Sequence, residues 1–83
     1  MKVKTDPLTR HREHLVLIDG LIAVVEAAAG KHQQNIRRML REGADVAAET
    51  RALRLSADAL KRLQVDRLAT LNQISRYLKT RAF

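Results

Sequence analysis

His11, Glu13 and His14 form the densest cluster of possible metal ligands or proton carriers in the chain. On a helix, residues three apart lie on neighbouring faces, so the two imidazoles could hold a metal ion between them. The order His-Arg-Glu-His is not the His-Glu-x-x-His pattern of zinc proteases, and no third ligand stands at a matching spacing. No metal site is expected. Nucleophilic chemistry is no better served. Cysteine is absent, and Ser56 and Ser75, the only serines, lie outside any nucleophile-elbow context. No glycine-rich phosphate loop is present. The nine carboxylates are scattered among sixteen Lys and Arg, a pattern of surface ion pairs with little energetic weight. The expectation is a chain with no catalytic residues, no cofactor and no small-molecule substrate.

What remains is charge and apolar surface. The net charge of +7 suits an acidic partner such as nucleic acid, an anionic membrane surface or an acidic protein patch. Beyond Leu60, the cations Lys61, Arg62, Arg67, Arg76, Lys79 and Arg81 stand against Asp66 alone. Arg62, Arg76, Lys79 and Arg81 are therefore the candidate phosphate contacts of a nucleic-acid binder. Against this, Tyr77 and Phe83 are the only aromatic residues, so the stacking platforms of single-strand binders are missing. No glycine turn after Gly43 offers a helix-turn-helix, and the default reading of this basic face, and of Lys31, Arg37, Arg38 and Arg41 in the first half, is solvated helix surface.

The elements that carry these residues are helical. Leu, Ala and Arg dominate, while Pro and Gly are scarce. Residues 1–5 read as a basic N-terminal tail and residues 6–83 as one helical domain. Asp6-Pro7 is a helix start. Gly43, following Arg37, Arg38 and Arg41, is a helix stop, and Asp45 is the next N-cap. The spacing predicts a helix over 7–42, a turn at 43–45 and a helix over 46–81, an antiparallel all-α hairpin. Gly30 could split the first helix. Ser56, with Asp58 after it, could begin a third.

Leu8, Leu15, Ile22, Ala29 and Ile36 recur every seven residues, interleaved with His11, Ile18, Val25, His32 and Met39. Such a stripe argues for coiled-coil-like packing. The two histidines at these positions would loosen it on protonation; the simpler reading is that they are partly exposed stripe ends. In the second helix Val46, Leu53, Ala57, Leu60, Leu71, Ile74 and Leu78 form the corresponding stripe, flanked by Leu63 and Leu68, with Gln64 inside it and Leu55 and Val65 pointing away.

The first helix is apolar beyond its stripe. Leu17, Leu21, Val24 and Ala28 make a second face. Val16, Gly20, Ala23 and Ala27 make a third, of small side chains that would admit close backbone approach. A helix apolar nearly all round is normally buried on several sides, and one partner helix covers only one. The stretch is not a membrane span: it carries Asp19 and Glu26 and is shorter than the ~20 apolar residues required. In outline the plan resembles small dimeric helical hairpins, among them RNA-binding plasmid regulators and secretion chaperones. That likeness is one of shape and carries no function. The expectation is a cytoplasmic, homodimeric regulator or adaptor that binds a partner protein through Leu17, Leu21, Val24 and Ala28, with Gly20 and Ala27 beside them. A basic DNA- or RNA-binding regulator is the alternative.

Overall fold

The computed structural model describes residues 6–82. These form two helices, α1 over Pro7–Arg41 and α2 over Ala47–Ala82, joined by a tight turn. The basic tail expected at residues 1–5 lies outside the described residues.

The helix ends form for the reasons the sequence suggests. Asp6 is extended and its Oδ1 accepts a 2.7 Å hydrogen bond from the Thr9 N–H, while Pro7 occupies the first turn, where its missing N–H costs nothing. At the other end the Ala44 N–H donates to the Met39 carbonyl and the Gly43 N–H to the Leu40 carbonyl. This pair of bonds is a Schellman motif, which needs a left-handed residue; Gly43 supplies it at φ 73°. Asp45 Oδ1 accepts from the Ala47 N–H at 2.9 Å, and the Thr50 N–H donates to the Val46 carbonyl. Val46 is thus the half-helical residue, and α2 begins one position later than expected. The breaks considered at Gly30 and Ser56 do not occur. Both helices run through, with Ser56 half-buried against the hairpin partner.

All ten residues of the α1 heptad stripe are buried or half-buried. The two histidines belong to this set: His11 and His32 are both partly exposed, as expected, though His32 lies within the seam and not at its end. On the α2 side Val46, just before the helix, and Leu53, Leu60, Leu71 and Ile74 are half-buried as expected, and Glu49, Ser56, Leu63, Thr70 and Tyr77 are buried or half-buried with them. This corrects the sequence-derived stripe. Ala57 and Leu78 are exposed, whereas Leu63 lies in the seam. An apolar-only reading drifts off the seam because three inward positions of α2 are polar. Two of these have identified partners: Glu49 Oε2 lies 2.8 Å from His32 Nδ1, and the fully buried Thr70 hydroxyl donates to the Asp66 carbonyl at 2.9 Å.

Two further contacts tie the helices outside the seam. Arg67 Nε donates to Asp19 Oδ1 at 2.7 Å, and His14 Nε2 lies 3.2 Å from Asp66 Oδ2. The short turn makes the helices antiparallel, and these contacts pair the first half of α1 with the second half of α2 in one register. The result is a slab of 63 × 30 × 14 Å, one helix layer thick. Ile18 and Thr70 are the only fully buried residues among those described.

Two expectations follow from the helix ends. Gly43→Ala forces a side chain into left-handed geometry and should cost about 1–2 kcal/mol, read as a lower urea midpoint. The Thr9 backbone N–H, and more weakly the charge of Arg81, hold the Asp6 carboxyl below the usual aspartate range. A depressed carboxyl stabilises the fold above its unfolded pKa, and that contribution is lost as pH falls through the folded value. The protection factor of the Thr9 amide, its exchange relative to the intrinsic rate at each pH, should therefore fall on acidification below the ordinary aspartate range, and Asp6→Ala should abolish that acid-dependent step.

Candidate protein-binding surface

A helix pair joined along one seam has two long grooves, one on each side of the seam. Their lining follows from the seven-residue spacing and the cross-helix contacts. His14 belongs to the row His14–Leu21–Ala28 on α1, and Asp66 to the row Ala52–Ala59–Asp66 on α2. The His14–Asp66 contact shows that these two rows face each other across one groove. Between the His14–Asp66 contact and the half-buried Asn35, its floor is made of Leu21 and of Ala28, Ala52 and Ala59, the three alanines being half-buried. Its ridges are Leu17 and Val24 on α1 and Leu55 on α2, which are 60%, 67% and 70% exposed. Asp19 and Arg67 mark the other groove, where Glu26, Gln33 and Gln64 are also exposed. One groove is small-floored with apolar ridges; the other mixes these polar groups with Leu71 and Leu78 and with the exposed Val16 and Leu68 on its ridges.

The structure brings together Leu17, Leu21, Val24 and Ala28. It adds Ala52, Leu55 and Ala59 from α2, which sequence reasoning missed. Alanine gives a weak periodic signal, and Leu55 points away from its own seam; only the register set by His14 and Asp66 reveals that it borders the same groove. Gly20 and Ala27 lie apart from this floor, on the outer side of α1, and both are exposed. A Cβ built on Gly20 or Gly30 meets nothing within 4 Å, so neither glycine serves close packing between α1 and α2.

The basic candidates do not form one cluster. Arg62 and Arg76 lie two heptads apart on the ridge that also carries Leu55, and Lys79 lies on the outer side of α2. Arg81 is folded over the Tyr77 ring, 5.7 Å from its centroid, and donates to the Tyr77 hydroxyl at 3.1 Å. Tyr77 itself is half-buried in the seam, so it offers no free stacking face.

His14 is turned toward Asp66 across the groove, away from any shared ligand with His11. Among the described residues no three His, Cys, Asp or Glu side chains converge as metal ligands. The open concavity bordered by Thr9, Arg12, Glu13 and Val16 is lined by one helix alone and gathers no reactive constellation. Neither helix, over the described residues, is long and apolar enough to cross a membrane.

The open space around Gly20 leads to an expectation for the isolated chain. Gly20→Ala should raise stability by about 0.5–1 kcal/mol through helix propensity alone, measured as an increased urea midpoint. A loss of stability would mean that another chain packs against that side of α1.

Comparison with protein-family models, with curated proteins and with solved structures found no match.

Proposed function

We propose that this chain is a non-enzymatic regulatory or adaptor protein that works by docking a partner protein onto its apolar groove, and that it pairs with a second copy of itself. The observation that carries this reading is the exposure of Leu17, Leu21 and Val24 in the closed hairpin, with Leu55 beside them. Isolated exposed leucines are ordinary on protein surfaces; a contiguous strip drawn from both helices is the mark of an interaction site. Self-pairing is supported by the opposite side of the slab, where Val16 and Leu68 are 73% and 61% exposed. A domain of this size with so small a core usually needs help from association.

A basic nucleic-acid binder is the second reading. It is favoured by Arg62, Arg76 and Lys79, which are exposed and make no ion pair. It is weakened by their spread around α2 and by the engagement of Tyr77 and Arg81 with each other. Retention on heparin that falls steeply between ~50 and ~200 mM salt would support it.

Leu21→Asp tests the first reading. Leu21 is already 45% exposed, so the variant should keep its helical circular dichroism. Wild type is expected to sediment as a dimer at micromolar concentration. Nuclease-treated pull-downs should retain a protein partner with wild type that Leu21→Asp loses. A stable monomer whose protein contacts are untouched by Leu21→Asp would contradict the proposal.

A further inference from the structure

We propose that the apolar groove receives an acidic amphipathic helix of the partner, completing a three-helix bundle. This rests on the protein-binding reading above and adds the chemistry of the partner.

The floor and ridges select a helix. Ala28, Ala52 and Ala59 leave room for an incoming backbone to settle near the seam, while Leu17, Val24 and Leu55 rise on either side to cover its flanks. Helix axes pack about 8–10 Å apart, and small floor residues favour the short end of that range. The opposite groove carries Val16, Leu68 and Leu71 but has its polar groups along the middle, where the proposed groove has alanines and confines its pair, His14–Asp66, to one end. An apolar helix laid there would bury the Asp19–Arg67 pair and Glu26 away from water.

The rims select the sign of the charge. Continuing each ridge by seven residues leads from Val24 to Lys31 and Arg38 on α1, and from Leu55 to Arg62 and, fourteen further on, Arg76 on α2. All four are exposed and none makes an ion pair. The carboxylate on the groove floor, Asp66, is engaged by His14, while Glu42 and Asp45 belong to the turn. A second copy seated here would bring four more cations and no free carboxylate to the rims; like charges gathered at an interface oppose association. Nucleic acid would satisfy the rims but leave the leucines and alanines of the floor without partners. A helix with leucines along one face and glutamates on both flanks satisfies floor and rims together.

The full chain can be titrated with a synthetic helix of about 20 residues carrying leucines on one face and glutamate flanks, and with a twin whose flanks are lysine. Anisotropy of the labelled peptides reports affinity. Wild type should bind the glutamate peptide about tenfold or more tighter than its twin, and the double variant Lys31→Glu, Arg62→Glu should narrow or reverse that preference. Both substitutions are at exposed positions, and circular dichroism checks that the helices persist. Leu21→Asp should abolish binding of either peptide. Equal affinity for the two peptides, or a preference unchanged in the double variant, would overturn the acidic-partner inference while leaving apolar docking intact. If neither peptide binds, the docking reading itself fails. Binding to phosphatidylserine vesicles in place of peptide, or a dimer that is dispersed by Leu21→Asp and not by the glutamate peptide, would assign the groove to a lipid surface or to a second copy and overturn the inference equally.

Discussion

Two helices can hide only the sides they turn toward each other. A packed helix buries a stripe somewhat wider than 100°, and in this hairpin each helix has a single neighbour. Everything else about the molecule follows from that geometry. The slab is 14 Å thick in its least dimension, so no side chain outside the seam can be covered from both sides. Apolar residues beyond the stripe remain in contact with water whatever rotamers they adopt. At roughly 25 cal/mol per Å² of apolar surface, the strip of Leu17, Leu21, Val24 and Leu55 represents several kcal/mol that the chain leaves unused on its own. That reserve is comparable in size to the whole stability of a small domain.

The seam spends part of its length on polar side chains. His32 faces Glu49 near the turn, and Thr70 satisfies its hydroxyl within its own helix. Flanking them, Arg67 reaches Asp19 and His14 reaches Asp66. Such pairs add little stability at half-exposed positions. Their value lies in register: a polar residue in a heptad seam is tolerated only where its partner is. A slip by one heptad would separate the His32–Glu49 and Asp19–Arg67 partners. The same register decides which rows of α1 and α2 border each groove, so the chemistry of the apolar groove depends on these modest polar contacts.

Much of this was legible from residue types alone, and the remainder was not, for identifiable reasons. The start at Asp6-Pro7 and the stop at Gly43 are local chemistry, decided by a missing N–H and a left-handed φ, and they needed no tertiary information. The α1 seam was readable because eight of its ten positions are apolar at strict heptad spacing. In α2 the seam passes through Glu49, Ser56 and Thr70, and a hydrophobicity-based stripe drifted instead toward Ala57 and Leu78. The α1 half of the candidate surface was visible as surplus apolar girth. Its α2 half was hidden, since Ala52, Leu55 and Ala59 gain meaning only once the two helices are docked. Gly20 and Ala27 share a face of small side chains with Val16 and Ala23 by helical spacing, and in the hairpin that face lies on the outer side of α1.

With Leu17, Leu21, Val24 and Leu55 exposed, this hairpin is incompletely covered when alone. The dependence of its stability on protein concentration tests this most directly. If association covers the exposed strips, the unfolding midpoint should fall as the isolated chain is diluted from about 100 μM to about 1 μM, because mass action links folding to assembly. A high midpoint, identical at both concentrations and reached by a chain that sediments as a monomer, would contradict it.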